Sequence, residues 1–163
     1  DVRRAFTSQI IIDILKEREG LEIDNVTEAL DRAVADGIKT LVVQPTHLMN
    51  GFEYTDLANE LENYKDSFEK VVLAEPLLTS DDDFDAVAEA IVADTAAVAE
   101  EGTAVCFMGH GTEADSNGVY AKLQDVLKAK GYDNYFIGTV EATPTLEDVI
   151  AAVQQGNYDI VHY

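Results

Sequence analysis

The chain has 163 residues, 47% of them apolar, which is enough for one α/β domain or one domain with part of another. Its 32 acidic residues against 11 lysines and arginines leave a net charge of −21. That field repels phosphate backbones and anionic membrane surfaces, so no nucleic acid and no membrane is expected as partner, although a small basic pocket inside the acidic shell stays open.

Thr7 to Arg18 sets Ile10, Ile11, Ile14 and Leu15 on one helical face, and Gly20 stops it. Asn25-Val-Thr-Glu28 reads as an N-cap with a reciprocal acid three residues on. The helix behind it is expected to bury Val26, Leu30 and Val34 and to end at Gly37. Lys39 to Val43 is a short buried strand that Pro45 cuts off. A helix over Glu53 to Tyr64 and a strand over Val71 to Ala74 follow, closed by Pro76.

Thr79-Ser-Asp-Asp-Asp83 opens a long helix to about Glu100, its acidic first turn suiting the positive end of the helix dipole. Solvated helix-start charge is the simpler account of that triple Asp; a metal site is the alternative. Then come a strand over Thr103 to Met108, a helix over Glu113 to Lys130 stopped by Gly131, a strand over Tyr135 to Ile137, a helix over Thr145 to Gln155, and a strand from Asp159 to Tyr163. The one cysteine, Cys106, lies in the first of these apolar runs and reads as a buried, inert thiol. It rules out an internal disulfide framework. No apolar stretch reaches the ~18 residues that span a bilayer, and a cytoplasmic location is expected.

Short apolar strands separated by helices give βαβ units and parallel sheets flanked by helices. The expected organisation is an N-terminal half over 1–80, a connecting helix over 81–100 and a C-terminal half over 101–163. The chain starts without Met and stops inside an expected strand at Tyr163, so both ends are expected to be cut.

Ligands of such sheets sit on the loops after the strands. Three of these loops are polar: Gln44-Pro-Thr-His-Leu-Met-Asn-Gly51, Gly109-His-Gly-Thr-Glu113 and Gly138-Thr-Val-Glu-Ala-Thr-Pro-Thr145. Gly109 and Gly111 let the backbone turn sharply around His110 and let a bulky ligand approach. His110 can there bind a divalent metal or take a proton near neutral pH; a hydrogen-bonded turn histidine is the alternative. Glu141 stands as a functional carboxylate or a helix-flanking acid, and His47 as a functional residue or a structural loop histidine. His162, inside a strand, reads as structural. Thr112 is expected to cap the next helix, with Asp115 as the acid of the box. There is no phosphate-binding G-x-x-x-x-G-K-[ST], no G-x-G-x-x-G after the first strand and no G-x-S-x-G elbow.

Met108-Gly-His-Gly-Thr-Glu113, followed by Asn117 and Tyr120, resembles the histidine motif of anaerobic sirohydrochlorin cobaltochelatases. Val140-Glu-Ala-Thr-Pro-Thr-Leu146 is similar to their second motif, and Gln44-Pro-Thr-His47 with Gly51, Glu53 and Tyr54 to a third. Arg3-Arg-Ala-Phe-Thr-Ser8 looks like their first helix entry. The resemblance runs end to end. It implies two similar α/β halves and an enzyme that inserts Co²⁺ into sirohydrochlorin in anaerobic cobalamin biosynthesis. It implies His110 and Glu141 as metal-binding and catalytic residues. His47, Gly109 and Gly111 are then candidates for holding the tetrapyrrole. A further histidine of the family would fall beyond Tyr163. A metal or pigment carrier, and a chelatase for iron or nickel, are the alternatives, and a homo-oligomer stays open. The substrate is itself polyanionic, so basic groups must line the pocket, with Arg3 and Arg4 available.

Overall fold

The computed structural model describes all residues, 1–163. Every strand pairing in it is parallel, and helices follow the strands, which makes the chain α/β. The chain divides into two compact units, Asp1–Pro76 and Leu77–Tyr163.

In the first unit, β1 (Ala5–Phe6) pairs with β2 (Asp24–Asn25), and β3 (Thr40–Val43) pairs with β4 (Lys70–Leu73). Helix α1 (Gln9–Glu19) starts at Ser8, whose hydroxyl accepts the Ile11 N–H, and ends at Gly20 in the left-handed region (φ 68°). Helix α2 (Val26–Ala35) opens with the expected box: Asn25 accepts from the Glu28 N–H, and the Glu28 carboxylate accepts from the Asn25 N–H. Helix α3 (Phe52–Asn63) contributes Leu57 and Leu61 to a core with Leu30, Ala33 and Phe68, against which the side chains of Leu41, Val43, Val71 and Leu73 pack.

Two expected faces are corrected here. Ile10, Ile11 and Ile14 are exposed, and Ile12 is the buried residue of α1. Three consecutive isoleucines cover three sides of a helix, so their pattern does not select one face. In α2, Leu30 is buried but Val34 is exposed; its neighbour Ala33 takes the core position. Strands β1 and β2, two residues each, are too short to give an alternation signal.

In the second unit, β5 (Thr103–Gly109) lies between β6 (Tyr135–Thr139) and β7 (Ile160–His162). The first four residues of β5 and all of β6 are buried, as expected of parallel strands covered on both faces. Helix α4 (Asp81–Thr95) stops short of the expected Glu100; the Thr95 hydroxyl bonds back to the Ile91 carbonyl and meets the Tyr135 hydroxyl at 2.7 Å. Phe84 and Leu127 are the largest fully buried side chains here, Leu127 coming from α5 (Gly118–Ala129). Lys130 ties the two helices, reaching Asp85 and Glu89 at 3.1 Å each. Helix α6 (Leu146–Gly156) starts with a capping box between Thr145 and Asp148.

The acidic start of α4 is also a capping box, with Asp83 accepting from the Ser80 N–H and hydroxyl. Those bonds hold the Asp83 carboxyl below the usual carboxylate range. Its ionised form therefore favours the folded state: the contribution is present at neutral pH and is lost as acid takes the pH down to that lowered value. Asp148 behaves in the same sense through Thr145. Cys106 is a buried free thiol, and burial pushes its pKa up, in keeping with an inert residue.

Candidate metal site

The register of β5 and β6 decides which loop residues meet. Gly109 lies opposite Thr139 at the carboxyl end of the pair. The ladder then continues past both strands: the Val140 N–H donates to the Gly109 carbonyl and the Glu141 N–H to the His110 carbonyl, each at 3.0 Å. Two parallel strands in step deliver their loops at the same level, so His110 and Glu141 are brought together. The imidazole Nε2 lies 3.2 Å from a Glu141 carboxylate oxygen. Both side chains are mostly exposed, at 78% and 66%.

A neutral imidazole and a carboxylate are both oxygen- or nitrogen-donor ligands suited to first-row divalent ions. No group of three or more His, Cys, Asp or Glu side chains is gathered to hold a metal. At the triple Asp 81–83, Asp83 closes the capping box with Ser80 and Asp81 pairs with Lys122.

The glycines around His110 are required by what lies behind them. A Cβ on Gly109 would stand 2.2 Å from the Tyr120 ring, which is buried beneath the loop. Gly111 has φ +88°, and a Cβ there would meet the Ala142 backbone nitrogen at 2.9 Å. Across the loop, the Thr139 hydroxyl donates to the Pro144 carbonyl and accepts from the Ala142 N–H, shaping the turn that carries Glu141. The expected cap at Thr112 is not formed. Its hydroxyl instead accepts from the Ala114 N–H, and a 3₁₀ turn over Asp115–Asn117 precedes α5. That turn replaces the start of the helix expected from Glu113, because the Asn117 side chain is engaged with the loops on either side rather than with the helix.

The motif around His110 already contained Asn117 and Tyr120, but their roles depend on contacts across the fold. Tyr120 supports the glycines and its hydroxyl accepts the Gly111 N–H at 3.4 Å.

His47 lies in the first unit, after β3. Its ring meets Tyr54 edge-on at 6.4 Å, and its Nδ1 is buried without a partner. It borders a cavity of about 590 Å³ that Arg4, Phe6, Leu41 and Gln44 also line. Arg3 is held by Asp1 at 2.6 Å and by Asp36 at 2.8 Å, whereas Arg4 lies over the Phe6 ring at 5.5 Å. His162 lies exposed in β7, opposite Val105.

A parallel α/β unit that brings a histidine and a carboxylate together at its carboxyl edge presents the donor types that a divalent first-row ion takes. The cobalt chelatase (CbiK) family model matches residues 1–163, and the chain belongs to that family. It is 30% identical over 162 residues to the sirohydrochlorin cobaltochelatase of Salmonella typhimurium, covering 99% of this chain and 61% of that protein. It is 31% identical over 157 residues to the sirohydrochlorin cobaltochelatase CbiKC of Nitratidesulfovibrio vulgaris, covering 95% of this chain and 55% of that protein. The chain thus spans between half and two thirds of the length of these relatives.

Proposed function

We propose that the protein inserts Co²⁺ into sirohydrochlorin, the activity for which its relatives are named, and that His110 and Glu141 carry the metal step. The observation that supports this reading most is the 3.2 Å approach of Nε2 to the Glu141 carboxylate on two loops that begin in register. Metal insertion replaces two pyrrole N–H protons by one Co²⁺, so two protons must leave for each ion that enters. His110 takes a proton from the macrocycle or donates its free nitrogen to the ion. Glu141 balances the ion's charge and lowers the cost of holding it beside an imidazole. Both side chains are exposed in this chain, which suits contact with a bulky substrate.

Gly109 and Gly111 let the loop that carries His110 lie close against Tyr120 and Ala142, and His47, in the first unit, is a second candidate for contact with a pigment. Arg4 is the better of the two arginines for a substrate carboxylate, since two aspartates already hold Arg3. No helix is long and apolar enough to cross a membrane.

A stoichiometric carrier is the competing reading, and an open two-residue site suits one equally. The test is the absorbance of sirohydrochlorin mixed with Co²⁺ in excess over the complete protein. Many cobalt insertions per protein molecule are expected. One equivalent of bound pigment or metal, with no further turnover, would mark a carrier.

A further inference from the structure

We propose that Asn117 is the positioning residue of the His110–Glu141 pair, a clip that fastens the two loops to each other. The proposal rests on reading that pair as the metal-handling site. The Asn117 Oδ1 accepts the Thr112 N–H at 3.1 Å, and its Nδ2 donates to the Thr143 carbonyl at 2.7 Å. Thr112 stands two residues beyond His110, and Thr143 two residues beyond Glu141. The loops are therefore joined twice. At their roots the backbone bonds from Val140 and Glu141 to Gly109 and His110 hold them, and at their far ends Asn117 does. The backbone of the pair makes the second of the root bonds, and the Asn117 fastening follows two residues further on.

Asparagine at a helix start ordinarily caps it by accepting an N–H from the first turn. Asn117 does not: it makes no side-chain cap bond, and its backbone is already helical (φ −54°, ψ −26°). Its amide is committed to the loops instead. The job needs a donor at one end of a short side chain and an acceptor at the other, which Asn supplies. Aspartate keeps the acceptor for Thr112 but turns a carboxylate oxygen towards the Thr143 carbonyl, where both groups accept and neither donates. Alanine supplies neither bond. His110 and Glu141 are mostly exposed, so little packing fixes them directly, and their separation follows from how the loops are held.

The test titrates the complete protein with Co²⁺ alone and follows the visible ligand-field bands, for wild type, His110→Ala, Asn117→Ala and Asn117→Asp. His110→Ala identifies which bands belong to the site. Loss of the clip should weaken Co²⁺ binding about tenfold, the lower end of the effect of removing a partner that orients a metal ligand. Asn117→Asp should be no rescue, although its added negative charge alone would strengthen cation binding; a fall against that charge separates positioning from electrostatics. A role limited to stability would lower the melting temperature and leave the affinity and band shape of the folded protein unchanged.

Loss of the bands in His110→Ala, with both Asn117 variants within twofold of wild type, would overturn the clip and leave the pair standing. Identical bands in wild type and His110→Ala would overturn the pair, and the clip with it.

Discussion

His110→Ala is expected to lower the rate of Co²⁺ insertion into sirohydrochlorin by about a thousandfold, the middle of the range for loss of a positioned acid–base group. The side chain is 78% exposed and nothing of the core rests on it, so the fold should be unaffected. The effect should therefore fall on turnover at saturating pigment, with an unchanged melting temperature. A variant that is both stable and fully active would take His110 out of the reaction. If the variant binds pigment as wild type does but no longer inserts metal, the histidine acts in the metal step rather than in docking.

The second large effect is one of packing. In Gly109→Ala the new Cβ would stand 2.2 Å from one Tyr120 ring carbon, 2.7 Å from the next and 2.8 Å from the hydroxyl oxygen. Atoms cannot share that space, and the ring is only 6% exposed, so it has little room to swing aside. Forcing an added methyl into a closed site costs about 3 kcal/mol, which lowers the melting temperature of a chain this size by roughly 6–12 °C. The site should suffer more than the core. Either the loop lifts, carrying His110 away from Glu141, or Tyr120 moves and releases its bond to the Gly111 N–H. Thermal unfolding with Co²⁺ titration of the folded variant checks both. An alanine variant that is as stable as wild type and binds Co²⁺ as well would show that the loop does not depend on this contact.

These two residues also show what the amino-acid order made legible. Glycines flanking a histidine after an apolar run marked a turn at a strand end, and the parallel α/β class followed from strands alternating with helices. The capping boxes at Asn25 and Thr145 obey local rules and sit in the sequence as written. The separation of His110 from Glu141 does not, because it depends on the register of β5 against β6, set by packing over the whole second unit. Which residue supports the glycines was equally hidden: Tyr120 stands 11 positions after Gly109 and meets it only once α5 has folded back. Asn117 falls inside the helix expected from Glu113, and only its two partners show it spanning the loops.

The misread faces have a simple origin. In α1 the isoleucine run spreads apolar residues over more than one side, and Ile12 is the one that the unit buries. In α2, Val34 and Ala33 are neighbours on the helix surface, and the close packing against Leu57, Leu61 and Phe68 took the smaller side chain. Hydrophobicity alone ranks these residues in the opposite order.

The most direct test of the His110–Glu141 site is cobalt X-ray absorption on the Co²⁺-loaded complete protein, wild type beside His110→Ala. Wild type should show an imidazole nitrogen in the cobalt shell at about 2.0–2.2 Å, the distance range of nitrogen and oxygen ligands to a divalent ion of this size. That imidazole scattering should vanish in the variant. The same histidine signature in His110→Ala would place the metal on another residue and contradict the assignment.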